Sequence, residues 1–296
     1  MIVVTGGTGF IGPKIVHKLR AEGKDVRCLV RDRRRGRQLE SWGCDLVEGD
    51  VTDRASLEFA VTGCDVVIHL VSIIVGRRED FERVMEQGTR NLVDASKAAG
   101  VRRFILMSAL GTSETTRDLV PYFHAKWTME QTVRGSGTEY VIFRPSFVFG
   151  SDGGALQQFT RVARLSPVTP IVGSGNQKLQ PIWVDDVAAY FAAAVDKPEA
   201  ANRTFELGGP DVVTWNEFWE RLKRSRRIRR PSVHVPTRLL RVQAVVLERL
   251  PRPPVTRDQL TMLDAGDNVV GNDEAVETFK LPLLPLDDQL RRAAAA

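Results

Sequence analysis

Two hydrophobic patterns alternate along the first half of the chain. Short, nearly continuous apolar runs occupy Ile2–Thr5, Val26–Val30, Asp45–Glu48, Asp65–Leu70, Arg103–Met107 and Tyr140–Phe143. Between them apolar residues recur every three or four positions, most plainly over Phe81–Ala99 and Tyr122–Arg134. The first pattern predicts strands buried on both faces, and the second predicts helices that cover them. Together they predict a parallel, doubly wound α/β sheet. Gly23, Gly100 and Gly137 fall where helices should stop. After about Gly150 the rhythm changes. Ser151–Gly175 contains a helix and a Pro/Gly-rich loop. Pro181–Val184 reads as a strand and Asp185–Asp196 as an alanine-rich helix stopped before Pro198, both returning to the sheet. Beyond Pro198 the pattern is that of a smaller α-rich region with short strands, one at Thr204–Leu207. Thr214 and Glu217 have the spacing of a capping box.

The first run leads directly into Gly6, Gly9 and Gly12, with helical spacing continuing through Ile15, Val16 and Leu19. A strand, a tight glycine turn and a helix, followed by a second strand, form a cradle for a pyrophosphate. Backbone N–H groups and the helix dipole both favour an anion there. Gly6 permits the turn, Gly9 admits the pyrophosphate to the backbone, and Gly12 lets helix and strand pack. Pro13 sits where its missing N–H costs least. The fold expected is a Rossmann-type doubly wound sheet with a smaller C-terminal α-rich substrate region. Residues 1–150 form the dinucleotide-binding domain, to which 181–196 returns, and 151–296 mostly form the substrate region. No linker separates the two, so a cleft between them is the expected substrate site.

A chain of 296 residues accommodates one large or two intimate domains. It opens on the expected cofactor strand, and export is not expected. No apolar run approaches the roughly 20 residues that span a bilayer. Cys28, Cys44 and Cys64 lack CxxC spacing and are odd in number. They read as small core residues in a reducing, cytoplasmic setting. His17, His69, His124 and His234 are scattered, and no metal site is expected. The formal charge of +5 is concentrated in Arg31, Arg33, Arg34, Arg35 and Arg37, and again in Arg221, Lys223, Arg224, Arg226, Arg227, Arg229 and Arg230. Neither run is interleaved with aromatics, which argues against nucleic acid and for a solvated face.

Tyr122 and Lys126 are spaced i, i+4, so a helix presents phenol and ammonium on one face. A nearby ammonium, together with an oxidised nicotinamide, favours the phenolate. Such a tyrosine can exchange a proton with a substrate hydroxyl or carbonyl while hydride moves.

Thr5-Gly-Gly-Thr-Gly-Phe-Ile-Gly12, Gly49-Asp50-Val51-Thr52-Asp53, the Tyr122/Lys126 pair followed by Glu130, and Arg144-Pro145-Ser146 resemble the short-chain dehydrogenase/reductase superfamily, extended or atypical branch. Gly88-Thr89-Arg90-Asn91, Ser108-Ala109-Leu110-Gly111, Phe143–Gly150 and the segment Pro254–Leu260 resemble, more narrowly, bacterial relatives of the NADPH-binding accessory subunit of respiratory complex I. The resemblance implies that Gly6, Thr8, Gly9, Phe10, Ile11 and Gly12 hold the pyrophosphate, and that Asp50 and Val51 border the adenine. It implies that Leu70, Val71 and Ser72 line the cofactor, and that Pro145, Ser146 and Phe147 sit beside the nicotinamide. Tyr122 would be the acid/base and Lys126 the ribose-binding lysine. The hydroxyl that family members place in the Ser108-Ala109 segment aligns with Ala109, leaving Ser108, Thr112 or Ser113 to substitute. Met85 stands where an Asn is often found.

Val30 occupies the place of the acid that NAD-specific sites put at the end of the second strand, and Arg31 follows it. An arginine there suits a 2′-phosphate, so NADP(H) is favoured, with Asp32 the residue that would argue for NAD(H). The expected function is an NADP(H)-dependent oxidoreductase acting on a carbonyl, alcohol or quinone-like small molecule. Phe147, Trp183, Trp215 and Trp219 could wall a hydrophobic substrate, though core packing is the more ordinary role. The alternatives are a non-catalytic NADP(H)-binding assembly or sensor protein of a membrane respiratory complex, and a nucleotide-sugar epimerase or dehydratase. A homodimer is compatible with the resemblance. In Pro236–Pro254 the residues Leu239, Leu240, Val242, Val246, Leu247 and Leu250 form a stripe beside Arg238, Arg241 and Arg249. A domain helix is the favoured reading, and a peripheral dock on the inner face of a membrane, next to the basic Trp219–Arg230, is the alternative.

Overall fold

The computed structural model describes residues 1–241 and 256–295. The apolar runs become strands of one sheet: β1 (Ile2–Thr5), β2 (Val26–Val30), β3 (Asp45–Glu48), β4 (Val66–His69), β5 (Arg103–Met107), β6 (Glu139–Pro145) and β7 (Arg203–Leu207). Their order is β7-β6-β5-β4-β1-β2-β3. Every neighbouring pair is parallel. β1, β4 and β5 are buried along their whole length, which is why they read as unbroken apolar runs. The chain leaves β3 and re-enters at β4 on the far side of β1. The carboxyl ends of β1 and β4 are therefore the switch point, where doubly wound sheets bind ligands.

The helices follow their apolar stripes. Gly12–Ala21 buries Ile15, Val16 and Leu19 and packs against Val184–Ala193. Pro121–Arg134 buries Phe123, Ala125, Met129 and Val133. Leu57, Leu92 and Met129 close on Val3, Val67 and Leu106 of the sheet in one apolar cluster. The helix predicted over Phe81–Ala99 begins at Arg78, and its Glu82–Gln87 stretch is a π-helical turn before Gly88–Ala98.

One strand departs from expectation. Ile182–Trp183 forms, but it pairs with Val148–Phe149 outside the large sheet, and the place beside β6 goes to Arg203–Leu207. The helix after it, Val184–Ala193, does belong with the sheet. By contacts the chain divides into a first unit, Met1–Pro145 with Val184–Leu207 and Asn272–Pro282, and a second, Ser146–Trp183 with Gly208–Gly271 and Leu283–Ala296. The second unit carries the helices Ala155–Leu165, Trp215–Ser225, Arg257–Asp264 and Leu286–Ala295 around short strand pairs. Phe149, Phe159, Trp215, Phe218 and Trp219 stack edge-on or tilted as its core. The Thr214–Glu217 capping box forms: the Thr214 hydroxyl accepts from the Glu217 N–H (3.2 Å), and the Glu217 carboxylate accepts from the Thr214 N–H (2.7 Å). Among the described residues no helix is long and apolar enough to cross a membrane.

Arg103 fastens the first unit internally. Its side chain is 2% exposed, and its guanidinium donates to the carbonyls of Ala194, Val195 (3.2 Å) and Lys197 (3.0 Å) and pairs with Glu139. Those carbonyls lie just past the helix Val184–Ala193, where backbone acceptors lack helical partners. Arg103→Met should lower stability by about 3 kcal/mol, because it leaves the Ala194 and Lys197 carbonyls without their donor, while Glu139 and Val195 keep Arg102. The exposed Arg54→Met should change it by no more than about 0.5 kcal/mol. Denaturant titration of both variants checks the difference.

Candidate nucleotide site and proton-transfer pair

The glycine turn is built on close approach. Gly6 has φ +77°, and a Cβ on it would lie 3.0 Å from the Leu70 carbonyl carbon and 3.1 Å from the Val71 nitrogen. A Cβ on Gly12 would lie 2.3 Å from the Gly6 oxygen. Leu70 N–H donates to the Thr5 carbonyl (3.1 Å), which ties β4 to the turn after β1. The helix starting at Gly12 has no side-chain cap and no acid in its first turn. Its end therefore offers backbone donors to an anion. Thr8, Phe10 and Ile11 are half-buried and Gly9 is exposed around it. The residues present fit a pyrophosphate.

The surrounding loops are pinned by residues whose roles spacing alone did not disclose. Asp50 accepts from the Thr52 N–H (2.9 Å) and hydroxyl (2.7 Å). Val51 is buried against Gly88, where a Cβ would meet its side chain at 2.7 Å, and its carbonyl accepts from Asn91 (3.2 Å). In Gly88-Thr89-Arg90-Asn91, then, glycine permits contact and asparagine holds the Asp50-Val51 loop. Thr89 supports a third element. It spends its proton on the Met85 carbonyl (2.5 Å), so it can only accept from His69 Nε2–H (3.1 Å). Nδ1 of His69 then accepts from the Thr5 hydroxyl (2.6 Å). The signal in the sequence was a histidine and two threonines inside otherwise apolar or glycine-led segments.

At the end of β2, Val30 is buried while Arg31 is exposed and has no partner among the described residues. Asp32 accepts from the Arg34 N–H (2.8 Å) and caps the following turn. On the other side, Ser72 follows Leu70 and Val71, lies 3.9 Å from the Met85 sulfur and sits close enough to Tyr122 to draw its pKa down.

Tyr122 and Lys126 share a face of Pro121–Arg134, with Lys126 Nζ 5.8 Å from the phenol ring centroid. The lowering expected of the tyrosine's pKa needs the charges of both the lysine and an oxidised nicotinamide, and in the protein alone burial dominates. Burial pushes Tyr122 up to about 12, against the pull of Ser72. Burial also takes Lys126 down to about 7, against the pull of Glu130. Nζ donates to the Met107 carbonyl (2.8 Å), and its own charge is partly suppressed. Ser108, suggested as a polarising hydroxyl, is buried and donates to Glu130 (2.5 Å). Glu130 also takes two bonds from Arg144, at 2.9 and 2.7 Å. The Glu130 and Arg144 of the sequence pattern are thus a buried clamp between helix and β6. Ser113 is engaged with Thr115 and Thr116, whereas the buried Thr112 hydroxyl has no partner among the described residues. Pro145 ends β6 and accepts from Leu110 N–H (3.0 Å). Ser146 and Phe147 belong to the second unit. There the Ser146 hydroxyl donates to the Gln180 carbonyl, and Phe147 lies edge-on to Trp215 at 5.5 Å. Trp183 and Trp219 are buried. Cys28, Cys44 and Cys64 are free and buried. Among the described residues no cluster of three metal-ligating side chains occurs.

A glycine turn at the switch point of a parallel sheet defines an NAD(P)-binding Rossmann protein. The chain matches the NAD(P)H-binding family over residues 6–198 and belongs to it. It is 31% identical over 215 residues, 73% of this chain and 64% of the relative, to the photosystem II assembly factor Ycf39 of Cyanophora paradoxa. It is 34% identical over 215 residues, 70% of this chain and 56% of the relative, to the mitochondrial NADH dehydrogenase [ubiquinone] 1 alpha subcomplex subunit 9 of Mus musculus. It thus spans less than two thirds of the length of either. Its fold is similar to that of the NADPH-dependent quinone oxidoreductase QOR2 of Escherichia coli complexed with NADPH. The TM-score is 0.79 at 19% identity, covering 98% of both chains. The chain therefore has the extended short-chain-dehydrogenase-like fold and is related to assembly-factor and complex I subunit types.

Burial pushes the His69 imidazole down to about 3, and the charge of Lys126 adds to the shift. The native state holds the neutral ring, whereas the unfolded chain takes up a proton below about 6.5. Stability from this site is complete above that pH and is lost as pH falls from about 6.5 toward 3. Denaturant titrations across that range should show a shallower decline in His69→Gln than in the wild type. Equal declines would contradict the assignment.

Proposed function

We propose that the protein is an NADP(H)-dependent oxidoreductase in which Tyr122 transfers the proton. The observation that carries this is a continuous path within the first unit. Gly6 abuts Leu70, Ser72 follows two residues on, and Ser72 lies close enough to Tyr122 to draw its pKa down. Acid/base group and cradle thus meet at one end of the sheet. A nicotinamide bound there supplies or accepts the hydride. Tyr122 Oη gives a proton to a carbonyl oxygen in reduction, or takes one from an alcohol in oxidation. Lys126 binds the ribose and, once charged, lowers the phenol's pKa; negative charge brought to the cradle favours that ammonium. Gly6, Thr8, Gly9, Phe10, Ile11 and Gly12 receive the pyrophosphate, Asp50 and Val51 border the adenine, and Leu70, Val71, Ser72 and Pro145 line the remainder. The substrate region falls in the second unit, which begins with Ser146 and Phe147. Phe147 and Phe159 are the half-buried edge of its aromatic core, which supports a hydrophobic, quinone-like or aryl carbonyl substrate. The named activity of the similar quinone oxidoreductase supports the same class. Free, buried thiols support a cytoplasmic setting.

NADP(H) is preferred because Arg31 is free for a 2′-phosphate while the Asp32 carboxylate is used as a cap. A second reading, an NADP(H)-holding assembly protein of a respiratory or similar membrane complex, is favoured by the high Tyr122 pKa and the missing hydroxyl at Ala109. The names of the assembly-factor and complex I relatives support it too.

Tyr122→Phe should leave NADPH affinity within about twofold and lower quinone or carbonyl turnover by at least about a hundredfold. Wild-type protein that binds NADPH tightly but turns over no such substrate would establish the second reading. Arg31→Gln should weaken NADPH by about tenfold and leave NADH unchanged in calorimetric titration. Equal loss for both nucleotides would remove the 2′-phosphate assignment.

A further inference from the structure

The second unit carries an arginine cluster that nucleotide chemistry does not use. Its strands Thr169–Val172 and Ser232–Val235 run parallel, Ser232 opposite Thr169, and Thr169 N–H donates to the Pro231 carbonyl (2.8 Å). The segments entering these strands therefore arrive at one edge. One leaves the helix Ala155–Leu165 and the other leaves Trp215–Ser225. The edge gathers Arg161 and Arg164 from the first with Arg224, Arg227, Arg229 and Arg230 from the second. None of these six side chains has an ion-pair or hydrogen-bond partner among the described residues. Arg226, between them, turns inward to the Ala293 carbonyl (2.6 Å), and its pKa is lowered by burial and then by the charge of Arg164, which places the two segments together. The carboxylates nearby are Asp211 and Asp287, both facing Arg221, and an exposed Glu220 one turn before Arg224.

Two further features mark the edge. Arg227 has φ +54°, a left-handed conformation that glycine takes without strain, yet the position holds a guanidinium. Leu165, beside Arg164, is 75% exposed, and Val233 is 43% exposed on the strand that follows Arg230. Mutually repelling guanidinia around exposed aliphatic side chains match a surface of phosphates over hydrocarbon. A nucleic-acid groove would instead pair the cations with exposed aromatic rings for base stacking.

We propose that this edge of the second unit docks on an anionic lipid surface. Arg164, Arg224, Arg227, Arg229 and Arg230 engage headgroup phosphates and Leu165 enters the acyl boundary. The full chain should float with phosphatidylcholine vesicles containing about a third phosphatidylglycerol, not with phosphatidylcholine alone, and binding should fall with ionic strength. The triple variant Arg227→Gln, Arg229→Gln, Arg230→Gln should bind about a hundredfold more weakly, about fivefold per charge. An equal charge change on the first unit, Arg54→Gln, Arg83→Gln and Lys97→Gln, should alter binding by no more than about twofold. Leu165→Ser, which leaves charge unchanged, should also weaken binding. Circular dichroism and melting of each variant confirm that the fold is kept. Absence of wild-type binding to the anionic vesicles, equal loss in both triple variants, or tighter binding to duplex DNA than to vesicles would each overturn the proposal.

Discussion

The geometry of the first unit depends on one close approach of backbone to backbone. At the carboxyl ends of β1 and β4 the chain comes so near itself that no side chain fits at Gly6, and the helix that follows begins so near that none fits at Gly12. That contact sets the direction of the first helix and the position of Leu70, and through the chain the position of Ser72. It leaves N–H groups without protein partners, a state that favours anions. Beneath it Thr5, His69, Thr89 and Met85 form a chain of polar contacts in an otherwise apolar core. A buried polar chain is tolerable only when each member is satisfied, and here each is. The π-helical turn at Glu82–Gln87 contains Met85, whose carbonyl accepts from the Thr89 hydroxyl and whose sulfur lies 3.9 Å from Ser72.

The site combines groups held in opposite electrostatic states. Glu130 and Arg144 are a bidentate pair, and Glu130 also accepts from Ser108 and faces Arg134 at 3.5 Å. Lys126 and Tyr122, one and two helical turns before Glu130, are both pushed by burial toward their neutral forms. The clamp fixes the helix, while the pair above it keeps protons that can move. Such a division of labour separates rigidity from reactivity along a single helix.

Much of this was legible in the residues. The central strands were readable because strands covered on both faces are apolar throughout, and β2, β3 and β5 fall on the residues their runs predicted. The glycine turn was readable because Gly6 and Gly12 leave no room for a side chain and Gly9 little. Less local features were not. The π turn is a matter of hydrogen-bond register that no apolar spacing records. Ile182–Trp183 has the apolar character of a sheet strand, and only its pairing with Val148–Phe149 excludes it from the large sheet. The pKa of Tyr122 in the protein alone is set first by burial, which an i, i+4 spacing does not record. The stripe Leu239–Leu250 lies outside the described residues from Val242 on, whereas the basic run before it gains its meaning from Arg164 and Leu165, some sixty positions earlier, across a strand pairing.

The interleaving of the two units has a consequence for how the protein is made. Phe279 packs on Phe143 of β6 and Phe205 of β7, at 5.7 and 5.2 Å, although well over a hundred residues separate it from Phe143. A chain emerging from the ribosome can assemble β1 to β6 early, but one face of that edge stays uncovered until the segment around Phe279 has been synthesised. Contacts so distant along the chain are slow to close, and the exposed aromatic face is meanwhile available to chaperones or to other nascent chains. Truncation before Phe279 would thus leave an open seam in the nucleotide-binding unit itself.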